Sequence, residues 1–118
     1  MVLKVDRQII YYKDYFWNFF LSVDERAKAK IDYVLRLVQS LDMVPIKFLK
    51  HIEGTDGLFE IRVEIGSNIH RIFCCFDDGN LVVLFNGFQK KSNKTPRQEI
   101  TLAENLKREY FESKGKIK

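Results

Sequence analysis

FEIRVEIGSNIHRIFCCFDDGNLVVLFNGF, residues 59–88, is the stretch on which the fold turns. Phe59, Ile61, Val63 and Ile65 alternate with Glu60, Arg62 and Glu64, the period of a strand with one apolar and one polar face. Gly66-Ser67 predicts a two-residue hairpin turn with glycine first, as a type II′ turn requires. Ile69–Phe76 reads as a second strand, nearly apolar after Arg71. Asp77-Asp78-Gly79-Asn80 supplies another turn, and Leu81–Phe88 is a continuous apolar run that suits an interior strand. The three strands make an antiparallel meander.

Outward from this core the period changes. Leu3–Tyr12 mixes β-branched, aromatic and charged residues and predicts a strand. Lys13–Leu21 is aromatic-rich, open between strand and helix by pattern alone, and is read as a short helix. Ser22 with Glu25 has the form of a capping box. Ala27, Ile31, Val34, Leu35, Val38 and Leu41 then recur at helical spacing, and Pro45 marks the exit. Near the C-terminus Thr95 suits an N-cap, Pro96 the first helical position and Gln98 the third. That helix would turn Ile100, Ala103, Leu106 (or the Lys107 stem) and Tyr110 inward. The order predicts an α+β fold: a small antiparallel β-sheet, N-terminal strand plus three-stranded meander, packed by helices on one face. Residues 1–118 form one domain.

Apolar content of 46% and aromatic content of 14% exclude wholesale disorder. No apolar run approaches the roughly 20 residues that span a bilayer. MVLKVDRQII carries charges where a signal peptide has an apolar segment, so a cytoplasmic protein without a membrane partner is expected. Cys74 and Cys75 are adjacent in a strand, which points them to opposite faces as buried, reduced thiols. His51 and His70 offer no ligand spacing for a metal, and neither a serine elbow nor a glycine-rich phosphate loop is present. His51 reads as an exposed loop or strand-edge residue and His70 as half-buried and structural.

Charge is unevenly placed. Residues 87–118 hold nine Lys/Arg against four Asp/Glu, a net of +5, while residues 1–86 hold eleven against twelve. The segment FNGFQKKSNKTPRQE, residues 85–99, gathers Lys90, Lys91, Lys94 and Arg97 where the last strand leaves the sheet. A solvated helix with a basic tail and a footprint for nucleic acid are both open readings. The two-residue turn also sets Arg62 directly opposite Arg71 on one face. Such a pair repels unless an anion lies between the arginines or Glu60 and Glu64 neutralise them; a three-residue loop would separate them.

The strand pair GLFEIRV…NIHRIFCCF, the following LVVLFNGFQKK and the helix start SNKTPRQEI together resemble the RelE/HigB-like toxins of type II toxin–antitoxin systems, above all the phage-derived HigB-like branch of the RelE/ParE superfamily. The resemblance covers residues 46–110. It implies a RelE-like fold and a ribosome-dependent mRNA endoribonuclease that uses no cofactor and no metal. It also implies a helix-turn-helix antitoxin, the ribosome and mRNA as partners. Carried onto this chain, the catalytic cations are Arg62, Arg71, Lys91 and Lys94, with Lys90 and Arg97 binding RNA. His70 stands where the family has an aromatic residue before the arginine. No tyrosine stands in the segment just after the last strand, where the resemblance to RelE would place a catalytic one, and Tyr110 sits where helical spacing favours core packing. Two other readings are open: a ParE-like toxin that inhibits DNA gyrase, a branch that shares the scaffold but lacks the cationic cluster, and a plain RNA-binding module.

Overall fold

The computed structural model describes residues 6–90 and 96–116. Five strands and three helices follow in the order β1 (Gln8–Tyr11), α1 (Tyr15–Ser22), α2 (Glu25–Ser40), β2 (Leu49–His51), β3 (Phe59–Ile65), β4 (Asn68–Asp77), β5 (Leu81–Lys90) and α3 (Arg97–Lys116). The α+β class expected from the sequence is the one observed, and the meander β3–β4–β5 is antiparallel throughout. The positive φ at the first hairpin is confined to Gly66 at +59°, which fits the type II′ turn. Among the described residues no helix is long and apolar enough to cross a membrane.

Three features depart from expectation. The sheet is mixed, in the order β1-β5-β4-β3-β2, because β1 pairs parallel to β5. A pairing between segments some seventy residues apart leaves no local signal of direction. The strand β2, three residues long, adds an edge that no periodicity announced. The helices lie on both faces of the sheet rather than one. Phe16, Phe19, Ile31, Val34 and Val38 of α1 and α2 pack on Ile61, Val63, Ile72, Cys74, Val82 and Leu84. Ala103 and Leu106 of α3 pack on Leu58, Phe73, Cys75, Val83 and Phe85. These are the alternate positions of the same strands, so α3 occupies the opposite face.

Local chemistry accounts for the boundaries. The N-cap of α2 is Asp24, whose Oδ1 accepts from the Ala27 N–H at 2.8 Å. Ser22, expected in that role, closes α1 instead, its hydroxyl donating to the Phe19 carbonyl at 2.6 Å. The expected Thr95 cap lies outside the described residues. Cys74 and Cys75 enter opposite cores as anticipated, and burial pushes the Cys75 thiol up to about 11.

One irregularity decides which way the end of β5 faces. Ile72 pairs with Gly87 but Cys74 pairs with Leu84, so Phe85 and Asn86 together oppose Phe73. This bulge reverses the facing of every later residue of β5. Gly87 comes to lie beneath the Phe19 ring, and a Cβ there would stand 2.5 Å from Phe19 Cδ2. Gly87→Ala should therefore cost about 1–3 kcal/mol, as overpacking does. Urea unfolding measures it, and an unchanged midpoint would place the Phe19 ring elsewhere.

Candidate functional site

Strand period two sets Glu60, Arg62 and Glu64 of β3, and Arg71 of β4, on the face that α3 covers. The helix covers only part of that face. Its apolar contacts end near Leu58 and Phe73, and toward the β3–β4 turn the same face becomes charged. Arg62 and Arg71 stand directly opposite each other, as the turn predicts. The bulge in β5 brings Lys90 to this side, since Arg71 pairs with Phe88 and Ile69 with Lys90. From the edge, Lys50 of β2 pairs with Glu60. Lys50, Glu53, Glu60, Arg62, Arg71 and Lys90 line an open cleft of about 430 Å³. Four cations there meet two carboxylates.

The two arginines differ in setting. Arg71 is 5% exposed and Glu60 6%, and Arg71 Nη1 donates to Glu60 Oε2 in a buried ion pair. Arg62 is more open, with Nη2 3.8 Å from Glu64 Oε1. Carboxylates thus offset part of the repulsion between the guanidinium groups. They do not saturate them: Nε of Arg62 and Nε of Arg71 are both buried without a partner among the described residues. A buried donor left unbonded costs about 1–3 kcal/mol. Lys90 is held below its ordinary value, first by partial burial and then by Arg71 and Arg62, with Glu60 opposing. The cleft is therefore a fixed array of donors suited to an anion, with one lysine biased toward giving up its proton.

The other expected residues fall elsewhere. Lys91 and Lys94 lie outside the described residues. Arg97 is exposed on the first turn of α3 and does not line the cleft. His70 points to the α1–α2 face, opposite to Arg71, with its ring 5.9 Å from that of Phe19. Tyr110 belongs to the far end of the sheet, its hydroxyl donating to Asp77 Oδ2 at 2.8 Å. Burial and the Asp77 carboxylate both raise its pKa, so it is anchored and not available as a proton donor in the cleft. His51 lies on an edge strand, as expected, with its ring 5.2 Å from Phe59, and it borders the cleft. Lys50 was not foreseen as a site residue, because a three-residue strand carries no readable alternation. Among the described residues no group of three or more His, Cys, Asp or Glu side chains could hold a metal ion.

Residues 18–108 match the family model described as "Phage derived protein Gp49-like (DUF891)". The match runs from α1 into α3 and takes in every residue of the cleft. The chain belongs to that family, which is associated with RelE and toxin-like proteins. No curated protein matches the chain.

Placing His70 in the core has a measurable consequence. It is 5% exposed, its Nδ1 lacks a partner among the described residues, and burial lowers its pKa despite the opposing pull of Asp24. Above about pH 6.5 both folded and unfolded chains carry the neutral ring. Below it the unfolded chain takes up a proton first, so stability falls with pH until the lower folded value is passed. His70→Phe should flatten this part of a pH series of urea midpoints. An equal slope in that variant would show that the ring contributes no proton linkage.

Proposed function

We propose that this Gp49-like chain is the toxin of a type II toxin–antitoxin pair and acts as a ribosome-dependent mRNA endoribonuclease in the cytoplasm. The observation that carries the reading is the cleft, where Arg62 and Arg71 face each other across β3 and β4 with buried, unpartnered Nε groups beside Lys90 and Lys50. The resemblance to RelE/HigB-like toxins supplies the reaction class.

RNA brings its own nucleophile, the 2′-hydroxyl, so the protein need mainly hold it in line with phosphorus. Attack forms the 2′-oxygen–phosphorus bond and breaks the bond to the 5′-oxygen. A base takes the 2′-hydroxyl proton and an acid returns one to the leaving oxygen. Charge gathers on the phosphorane oxygens between these events. Fixed guanidinium groups stabilise that charge more than the ground state, by about 3–4 kcal/mol per donor. Lys90, whose proton is loosened by its surroundings, is suited to the transfer, with Lys91 and Lys94 assigned beside it by resemblance. A helix-turn-helix antitoxin, the ribosome and mRNA are the partners this function requires.

Arg62 gives the cleaner genetic test, because Arg71→Ala also strips the buried Glu60 of its partner, which costs about 3–5 kcal/mol of stability. Inducing the wild-type chain alone should arrest bacterial growth. Arg62→Ala should relieve the arrest, lower cleavage by about 10²–10³-fold and leave the unfolding midpoint nearly unchanged. Lys91→Ala and Lys94→Ala should each act more weakly, since neighbouring point charges replace one another. Full activity in a folded Arg62→Ala chain would remove Arg62 from the site.

Dependence on the ribosome follows from the same chemistry. Cations bind phosphate without reading bases, so free RNA should be held loosely and in a salt-sensitive manner. The ribosome would supply the in-line geometry. Primer extension on one message, with and without programmed ribosomes, should show cleavage in translating complexes and nearly intact naked RNA. Equal cleavage in both settings would indicate a free ribonuclease. Cleavage in neither, with gyrase supercoiling inhibited, would indicate the ParE-like activity instead.

A further inference from the structure

Glu60 is a carboxylate placed inside a cleft for anions, where it repels the phosphate that the cations attract. It is 6% exposed and forms part of the cleft lining. Arg71 occupies its Oε2, while Oε1 accepts no hydrogen bond among the described residues. Lys50 pairs with it across β2 and β3, and Arg71, which stands opposite Arg62, reaches it through the ion pair, so it is held near the middle of the cation array. An ionised carboxylate accepts hydrogen bonds and offers none. Its natural complement is a hydroxyl donor that lies beside a phosphate, and in a polynucleotide that donor is the ribose 2′-hydroxyl.

We propose that Glu60 reads the 2′-hydroxyl and makes the cleft select RNA over DNA. This inference rests on the nucleic-acid reading above and adds to it a specificity residue. A ribose next to the bound phosphate satisfies the free carboxylate oxygen. A deoxyribose presents C–H at that point and leaves the carboxylate facing phosphate uncompensated. The cations thus supply affinity for any strand, and the carboxylate subtracts from it unless a 2′-hydroxyl is present.

The test uses one short single-stranded sequence made as RNA, as DNA and as 2′-fluoro RNA, the last lacking the donor. Affinity for the full chain is measured by fluorescence anisotropy at one fixed, low salt concentration. Wild type should bind RNA about tenfold more tightly than either other strand, the scale of one hydrogen bond to a charged group. Glu60→Gln keeps an acceptor for Arg71 and removes the negative charge. It should bind all three strands more tightly and bring the preference below about threefold. Circular dichroism establishes that this variant is folded; should it not fold, the wild-type comparison of RNA with 2′-fluoro RNA decides by itself. Equal wild-type affinity for the three strands, or an undiminished preference in folded Glu60→Gln, overturns the role of Glu60 while leaving ribosome-dependent cleavage standing. Binding to none of them, with no cleavage on ribosomes, overturns the underlying reading and the role of Glu60 with it.

Discussion

The extra residue in β5, where Phe85 and Asn86 face Phe73, is the constraint on which the arrangement depends. Before it, the even positions Val82 and Leu84 serve the α1–α2 core and the odd positions Val83 and Phe85 serve the α3 core. After it the assignment inverts. Phe88 extends the α3 core, its ring 5.4 Å from that of Phe73, and Lys90 reaches the arginine face. Without the bulge Phe88 and Lys90 would turn toward α1. The bulge also docks the last helix: Asn86 Nδ2 donates to the Glu99 carbonyl at 3.1 Å, in the first turn of α3. One inserted residue thus positions a core, a helix and a site, which is a recurrent use of bulges beside functional surfaces.

The two faces of the sheet divide the work of stability and chemistry. The α1–α2 face is covered by two helices, and its strand positions are almost entirely apolar. The α3 face is covered over part of its extent, and where cover ends the side chains become Glu60, Arg62, Arg71 and Lys90. A buried ion pair such as Arg71–Glu60 is weak support for stability, since well-packed apolar residues of similar volume often do as well or better. On the proposed function, its presence on a largely apolar sheet is explained by use rather than by folding.

Much of this was legible in the residues because strand period and turn chemistry are local. Phe59–Ile65 alternates without interruption, and Gly66 at the first turn position sets a two-residue loop, so the Arg62–Arg71 pairing followed from the sequence. The inward residues of α3 and the opposed cysteines followed in the same way. What escaped was non-local or too short to have a period. The direction of β1 is decided by its pairing with β5 across the whole chain. The strand β2 owes its existence to the edge of β3. The bulge is invisible in an apolar run, because both faces of β5 are buried there and a reversal of facing leaves no trace in hydropathy. The switch of N-cap from Ser22 to Asp24 reflects two adjacent helices competing for the same few polar residues.

The unequal settings of the arginines suggest unequal parts in binding. Arg71 is locked by burial and by Glu60, so its remaining donors are held in place before any ligand arrives. A donor fixed in advance needs no reorganisation at the moment charge develops, which is where electrostatic catalysis gains most. Arg62 is held by a longer contact to an exposed glutamate. Partly exposed pairs of this kind contribute about 0–1 kcal/mol, so Arg62 can leave Glu64 for a phosphate at little cost. On the proposed function, one guanidinium would define the place of the anion and the other would close upon it. Lys90, approached by both, has its charged form disfavoured while the cleft is empty. A bound phosphate reverses the sign of that influence and favours the protonated lysine. Lys90 would therefore gain a proton as the anion enters or as negative charge builds upon phosphorus. On the proposed reaction, that direction suits donation of a proton to the leaving 5′-oxygen.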